Sequence, residues 1–227
     1  PSKKLISIFG KKKLNPIKIN VNGDPSAAAF FVALTLLSKN SFLKIKNVGL
    51  NPTRIGFYEL LKIHGANIKF KNIKKHNNET FGDIHVKNCK IKSIRSDKKY
   101  YVKATDEYPI LFVIAALTKG TSIFEGIGDL ANKESDRIKE MQNIFNQIGI
   151  KSIVKKNKMK IYGKSFIENK NKKINVPNLG DHRICMSATI LSLITGIKAR
   201  ISNFETVNTS SPNFLKIIKS LGGKFEI

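Results

Sequence analysis

The stretch "GDPSAAAFFVALTLLSKNSFLKIKNV", residues 23–48, decides the fold because two later stretches repeat its pattern. These are "TDEYPILFVIAALTKGTSIFEGI", residues 105–127, and "GDHRICMSATILSLITGIKARISNF", residues 180–204. Each has Asp in second place, then an apolar run that predicts a helix, a polar break and a short strand. A helix that is apolar all round belongs in a protein interior, so we expect three buried helices. The apolar run at 27–37 is about half the ~20 residues that a membrane span needs.

A second pattern follows each of these stretches: "PTRIGFYELLKIHGANIKF", "ESDRIKEMQNIFNQIGIKSIV" and "SPNFLKIIKSLGGKFEI". Each predicts an amphipathic helix that ends at a glycine and is followed by a strand. Gly65, Gly149 and Gly222 suit the left-handed position just past a helix end. The spacing from the leading Asp to this glycine is 41, 43 and 41 residues. Three copies with matched starts and ends indicate an internal repeat.

The repeats predict an α/β fold with three βαβαββ-type units around a pseudo-threefold axis and the apolar helices inside. Alternation of strands with helices favours parallel pairing. We place the repeats at about 23–105, 106–180 and 181–227, within one domain at 23–227. Residues 1–22 fit no repeat and predict two strands around a Gly-Lys turn, at the end of a preceding domain.

The composition is that of a globular protein with an extreme charge. Hydrophobic residues make up 41% of the 227 residues, and the formal net charge is +25. Such a charge favours anionic partners, including nucleic acid, although lysine can also be the general surface residue. No RNA- or DNA-binding signature supports a nucleic-acid module. Two cysteines and four histidines form no disulfide framework or metal-ligand spacing, so we expect free thiols, a cytoplasmic location and no metal.

Charged residues at the predicted helix starts are the candidate functional residues. Asp24, Asp106 and Asp181 suit helix caps, and Asp106 also suits a general base because it adjoins a long apolar run. Cations oppose the macrodipole at a helix start, yet Lys133, Arg137 and Arg183 occupy such positions. Guanidinium groups beside free helix N–H groups would make an anion site. Glu134 fits either a second titrating group or an acid in the first helical turn.

The motifs "GDPSAAAFFVALTLL", "TDEYPILFVIAALTKGT", "NKESDRIKEM" and "GDHRICMSATI" resemble the enolpyruvyl transferase family, from about Val21 to the C-terminus. The KESDR and DHR forms are most similar to the branch that acts on shikimate 3-phosphate. The resemblance implies an inside-out α/β barrel domain, the C-terminal half of a monomeric enzyme of about twice this length. Residues 1–22 then resemble the last strands of the missing N-terminal domain. The branch that acts on UDP-N-acetylglucosamine is the alternative.

The resemblance implies transfer of the enolpyruvyl group of phosphoenolpyruvate to the 5-hydroxyl of shikimate 3-phosphate, with release of phosphate and no cofactor. Asp106 matches the proton acceptor, and Glu134 matches the carboxylate near the methylene of phosphoenolpyruvate. Arg137 and Arg183 match the arginines that hold phosphoenolpyruvate. Lys133 matches a contact to the shikimate substrate. Because half of the cleft is absent, we expect this chain to be inactive alone.

Two further positions complete the predicted substrate-binding set, Asp129 and Thr209. Many family members have Lys where "VNTSSPNF" has Thr209, so the cationic clamp has one charge fewer from this half. Ser211 stands where an aromatic residue is usual.

Overall fold

The structure, a computed structural model, describes residues 6–16, 18–168 and 171–226. Three helices form its centre: α1 (Pro25–Leu37), α4 (Tyr108–Ala116) and α6 (His182–Thr195). Each contacts the other two, and all nine residues of α4 are buried. The three predicted buried helices are therefore confirmed. No helix in the described part of the chain is long and apolar enough to cross a membrane.

The other helices lie outside this centre, and the strands form three separate sheets. The outer helices are α2 (Gly56–Ile63), α3 (Lys98–Ala104), α5 (Arg137–Gln147) and α7 (Phe214–Ser220). Short 3-10 helices lie at Thr105–Glu107, Gly128–Asn132 and Phe204–Thr209. The strands are β1 (Phe42–Gly49), β2 (Asn67–His76), β3 (Glu79–Lys87), β4 (Arg95–Ser96), β5 (Gly120–Glu125), β6 (Ser152–Lys155), β7 (Lys158–Gly163), β8 (Lys173–Val176) and β9 (Lys198–Ile201).

The strand pairing is mixed, so the prediction of parallel sheets was only partly right. The order β1-β3-β2 is antiparallel throughout, and in β4-β5-β7-β6 only the β4–β5 pair is parallel. The third sheet is the parallel pair β8–β9. Short hairpins join β2 to β3 and β6 to β7, and a short connection allows only antiparallel pairing.

The predicted ends of the outer helices are confirmed. Gly65, Gly149 and Gly222 follow α2, α5 and α7 with φ of 94°, 73° and 90°. A side chain is penalised in this left-handed conformation, which explains the glycine at the same place in each repeat. The strand predicted after Gly222 is not formed within the described residues, where 223–226 are irregular.

The N-terminal strands are also not formed. Residues 6–16 and 18–22 have neither helix nor strand, and the large apolar side chains of Ile8, Phe9 and Leu14 are more than four-fifths exposed. A strand needs a neighbour for its backbone hydrogen bonds, and the described residues offer none along this segment. Residues 1–5 and 17 of the predicted strands, and Ile227 at the other end, lie outside the described residues. The assignment of 1–22 to another domain, and the repeat boundaries, stay predictions.

Candidate active site

Arg137 is the centre of the site, and its side chain is only 1% exposed. It is the first residue of α5, so its backbone position confirms the predicted helix start. Its Nε donates to Oδ2 of Asp181 at 2.9 Å, and its Nη2 donates to Oε2 of Glu134 at 2.6 Å. A buried guanidinium is tolerated only when carboxylates surround it, and these contacts supply that compensation.

Asp181 has two roles at the start of α6, and sequence reasoning found only one. It caps the helix, as predicted, by accepting from the backbone N–H groups of Arg183 and Ile184. It also accepts from Arg137 and from the hydroxyl of Ser135 at 2.9 Å. Burial by itself would raise the pKa of Asp181, but the Arg137 and Ser135 hydrogen bonds hold that pKa below its usual value. Asp181 therefore remains an anion and ties the second repeat to the third.

Asp106 lies between the two arginines. Its Oδ1 is 3.7 Å from Nη1 of Arg137, and its Oδ2 is 3.8 Å from Nη2 of Arg183. Both distances exceed those of a good hydrogen bond, so the attraction is mainly electrostatic. The side chain is 41% exposed, whereas those of Arg137 and Arg183 are 1% and 8% exposed. Asp106 belongs to the 3-10 helix Thr105–Glu107 and caps no helix with its side chain.

Three buried guanidinium nitrogens have no hydrogen-bond partner within the described part of the chain: Nη1 of Arg137, and Nε and Nη1 of Arg183. A buried donor without a partner costs about 1–3 kcal/mol, and more when it is charged. A carboxylate or phosphate group would satisfy such donors, because its oxygens match the planar fork of an arginine.

Glu134 precedes α5 rather than lying in its first turn, so the second of its two predicted roles is wrong. The residue that caps α5 is Asp136, whose side chain accepts from the backbone N–H of Lys139. Glu134 is 46% exposed, with its Oε1 4.0 Å from Nδ1 of His182. Burial, followed by the Arg183 charge, lowers the pKa of His182, which favours the neutral imidazole.

Lys133 and Asp129 form a second group beside the arginines. Their side chains pair at 3.0 Å, and the hydroxyl of Tyr101 donates to the same Asp129 oxygen at 2.8 Å. The Lys133 and Tyr101 hydrogen bonds lower the pKa of Asp129. Tyr101 was missed by sequence reasoning, because no local pattern links it to a carboxylate 28 residues away.

Thr209 is exposed and ends the 3-10 helix Phe204–Thr209, where its hydroxyl donates to the Thr206 carbonyl at 2.7 Å. No described contact joins it to the arginines. The Thr206 hydroxyl donates to the carbonyl of Gly180 at 3.1 Å, which holds this 3-10 helix next to the start of α6. A binding role for Thr209 stays a prediction.

Two of the three cations that the sequence predicts at helix starts are compensated by carboxylates. Arg137 contacts three carboxylates and Lys133 contacts one. Lys133 also does not start a helix, because it follows the 3-10 helix Gly128–Asn132 and α5 begins at Arg137. Side chains cap α5 and α6, at Asp136 and Asp181, whereas α4 has no side-chain cap. The unpaired guanidinium nitrogens are therefore the main donors that this site offers to an anion.

Comparison with known proteins identifies the family of the chain. The family described as EPSP synthase (3-phosphoshikimate 1-carboxyvinyltransferase) matches residues 1–218. A 3-phosphoshikimate 1-carboxyvinyltransferase of Zymomonas mobilis is 36% identical over 226 residues, which are 99% of this chain and 50% of that protein. One of Petrotoga mobilis is 38% identical over 210 residues, covering 92% of this chain and 48% of that protein.

Solved structures of enolpyruvyl transferases have the same fold as this chain. The EPSP synthase from Acinetobacter baumannii has a TM-score of 0.81 and 32% identity, over 88% of this chain and 46% of that chain. The enolpyruvyl transferase NikO from Streptomyces tendae shares the fold, with a TM-score of 0.63 and 12% identity over 88% of this chain and 43% of that chain. The chain spans about half the length of the curated relatives it matches. By sequence and by fold, this chain belongs to the EPSP synthase (3-phosphoshikimate 1-carboxyvinyltransferase) family.

Proposed function

We propose that this chain supplies the C-terminal half of the active site of a 3-phosphoshikimate 1-carboxyvinyltransferase. The enzyme transfers the enolpyruvyl group of phosphoenolpyruvate to the 5-hydroxyl of shikimate 3-phosphate and releases phosphate. One observation carries the proposal. The carboxylate of Asp106 lies within 4 Å of two nearly buried guanidinium groups, Arg137 and Arg183. Three of their nitrogens have no hydrogen-bond partner among the residues that the structure describes.

The reaction is an addition followed by an elimination. In the addition, the 5-hydroxyl oxygen bonds to C2 of phosphoenolpyruvate and loses its proton, while the methylene carbon gains a proton. In the elimination, the C2–O bond to phosphate breaks and the new methyl group loses a proton, which restores the double bond. The steps need a base for the hydroxyl, an acid–base group for the methylene carbon, and cations for the carboxylate and phosphate.

Each of these needs has a candidate in the site. Asp106 is the base, since its carboxylate is partly exposed and lies 3.7 and 3.8 Å from the two guanidinium groups. Glu134 is the acid–base group at the methylene carbon. Arg137 and Arg183 hold phosphoenolpyruvate through their unpaired nitrogens. Lys133 and Asp129 contact the shikimate substrate, and Tyr101 orients Asp129 through its hydroxyl.

The partner of this half is an N-terminal domain that carries the other substrate contacts. Two observations support it: the half-length match to the relatives, and the exposed apolar side chains in residues 6–16 and 18–22. We further propose that the whole enzyme is monomeric and cytoplasmic. The free thiols of Cys89 and Cys185 are consistent with a reducing compartment.

Phosphate release with both substrates tests the function. The whole enzyme that carries this chain as its C-terminal half should turn over at the usual scale of ~1–1,000 per second, and the chain alone should show no turnover. Absence of phosphate release from the whole enzyme would contradict the function. Turnover by the isolated chain would instead contradict the view that it forms half of a site.

A further inference from the structure

Glu107, the residue after Asp106, is a nearly buried carboxyl group outside the cluster described above. It is 2% exposed and accepts a hydrogen bond from the hydroxyl of Ser26, in the first turn of α1. The Ser26 oxygen accepts in turn from Nη2 of Arg54 at 3.1 Å, and Arg54 lies 3.6 Å from the cap residue Asp24. Ser26 has a single hydroxyl proton, which it donates to the ionised Glu107, and its oxygen then accepts from Arg54.

This connection joins the first repeat to the turn that carries Asp106. Adjacent residues in a 3-10 helix point about 120° apart, since it has about 3.0 residues per turn. The hydrogen bond from Ser26 fixes the Glu107 side chain against α1. It thereby fixes the orientation of the 3-10 helix about its axis, so that the Asp106 side chain points to the two arginines. We propose that Glu107 is a positioning residue for Asp106, acting through its hydrogen bond to Ser26 and the Ser26–Arg54 contact. The inference rests on the function proposed above.

The ionisation of Glu107 should be visible in the activity. Burial raises the pKa of Glu107 to about 7, and the Asp106 charge adds to this effect, while the Ser26 hydrogen bond and the Arg183 and Arg54 charges oppose it. The charged and titratable groups that act on Glu107 are Arg54, Tyr58, Asp106 and Arg183. A hydrogen bond to an ionised acceptor is stronger than one to a neutral acceptor. The connection to Ser26 therefore tightens as the pH rises through about 7.

The test compares Glu107→Gln and Ser26→Ala in the whole enzyme, with Glu125→Gln as the control. Glu125 is a half-exposed carboxylate on β5. It forms an ion pair with Lys158 on β7 and does not belong to the candidate site. We expect Glu107→Gln to lower kcat roughly 10-fold through misplacement of the base, with the KM for phosphoenolpyruvate nearly unchanged. The rise of kcat through about pH 7 in the wild type should disappear in this variant. Ser26→Ala should lower kcat in the same direction, and the double variant should be no worse than the poorer single variant.

Wild-type kcat and pH profile in both variants would overturn the proposal. If Glu107→Gln fails to fold, Ser26→Ala carries the test alone, and wild-type kcat in it is the contrary result. A wild-type enzyme without turnover would mean that the proposed function is wrong. The positioning role is then decided by carbon-13 NMR of the carboxyl groups in this chain. The Asp106 signal should respond to the ionisation of Glu107 in the wild type but not in Ser26→Ala, and an Asp106 signal indifferent to Glu107 in both overturns it.

Discussion

At the scale of single residues, the site contains two carboxylates with different surroundings. Asp106 faces two guanidinium groups at 3.7 and 3.8 Å, whereas Glu134 has a direct hydrogen bond to one of them at 2.6 Å. The Asp106 carboxylate therefore lacks the direct hydrogen bond that holds Glu134 in place. The proposed roles of these residues differ enough to be measured one at a time.

Asp106→Asn and Arg183→Ala should have opposite kinetic signatures in the whole enzyme. Asp106→Asn keeps the shape but removes the base, so kcat should fall by ~100-fold or more while the KM for phosphoenolpyruvate changes little. Arg183→Ala removes a charged donor pair and should raise that KM by about 1.5–3 kcal/mol in binding terms. Steady-state kinetics with phosphoenolpyruvate as the varied substrate measures both. Equal losses of kcat in the two variants, with KM unchanged, would contradict this division of roles.

Glu134→Gln tests the acid–base role at the methylene carbon. The variant keeps an acceptor oxygen for Arg137 and removes the titrating group, so both substrates should still bind. Exchange of the methylene protons of phosphoenolpyruvate with deuterated solvent should become much slower. Mass spectrometry of recovered phosphoenolpyruvate measures the deuterium incorporation. Glu140→Gln, the same substitution further along α5, is the control. Near-normal deuterium incorporation would remove Glu134 from the catalytic residues.

At the scale of elements, α5 begins with an arginine because three carboxylates surround that arginine. Two of them, Asp106 and Asp181, lie at the starts of α4 and α6, and Asp181 comes from the next repeat. The tertiary contacts therefore outweigh the unfavourable macrodipole, whose effect on a single charge is about 0.3–1 kcal/mol. Three helix starts meet at this one side chain.

Asp181→Asn should destabilise the chain strongly, because it leaves Arg137 buried beside a neutral amide. Breaking a buried pair in this way costs about 3–5 kcal/mol, and urea unfolding measures the loss. Asp97→Asn, a change at an exposed carboxylate near Lys99, should have little effect and serves as the control. A loss as small as that of the control would show that Asp181 does not stabilise Arg137.

The same pair makes a prediction for pH. The folded-state pKa of Asp181 is lowered, so its contribution is fully present above the unfolded value of about 3.9 and is lost as the pH falls through the folded value. The wild type should therefore lose its advantage over Asp181→Asn on acidification below about pH 4. An advantage that persists unchanged at the lowest measurable pH would contradict the ionised Arg137–Asp181 pair.

The sequence predicts the charged residues of the site but not which of them neutralise each other. Lys133, Glu134 and Arg137 are found from a short motif because their relation is local. The bond from Arg137 to Asp181 crosses 44 residues of sequence, and no periodicity reports it. The buried state of Glu107 is equally invisible, because only the packing of α1 against the turn 105–107 excludes water there. The apolar periodicity, by contrast, is local, and it predicts all three central helices. The glycines of the repeats predict where the outer helices end.

At the scale of the whole molecule, the site joins the second and third repeats, so a ligand there should stabilise the complete fold. Phosphate or sulfate should raise the melting temperature more than chloride does at equal ionic strength, because either can satisfy the unpaired nitrogens of Arg137 and Arg183. Binding to the folded state alone contributes about 2.7 kcal/mol at a hundredfold excess over Kd. Arg183→Ala should abolish the preference, and Arg200→Ala, at an exposed arginine, should retain it. An unchanged preference in Arg183→Ala would exclude that residue from anion binding.

The burial of α4 also determines how the backbone of this protein opens. Every residue of that helix is buried, and both other central helices pack against it. We therefore expect the hydrogen-bonded amide protons beyond the first turn of α4 to exchange with solvent deuterons only when the domain unfolds, whereas amides of α7 exchange through local fraying. The exchange rates of α4 in the native protein report the free energy of global unfolding directly, without denaturant and without catalysis. They therefore give a measure of folding for this chain that does not depend on substrate or on turnover.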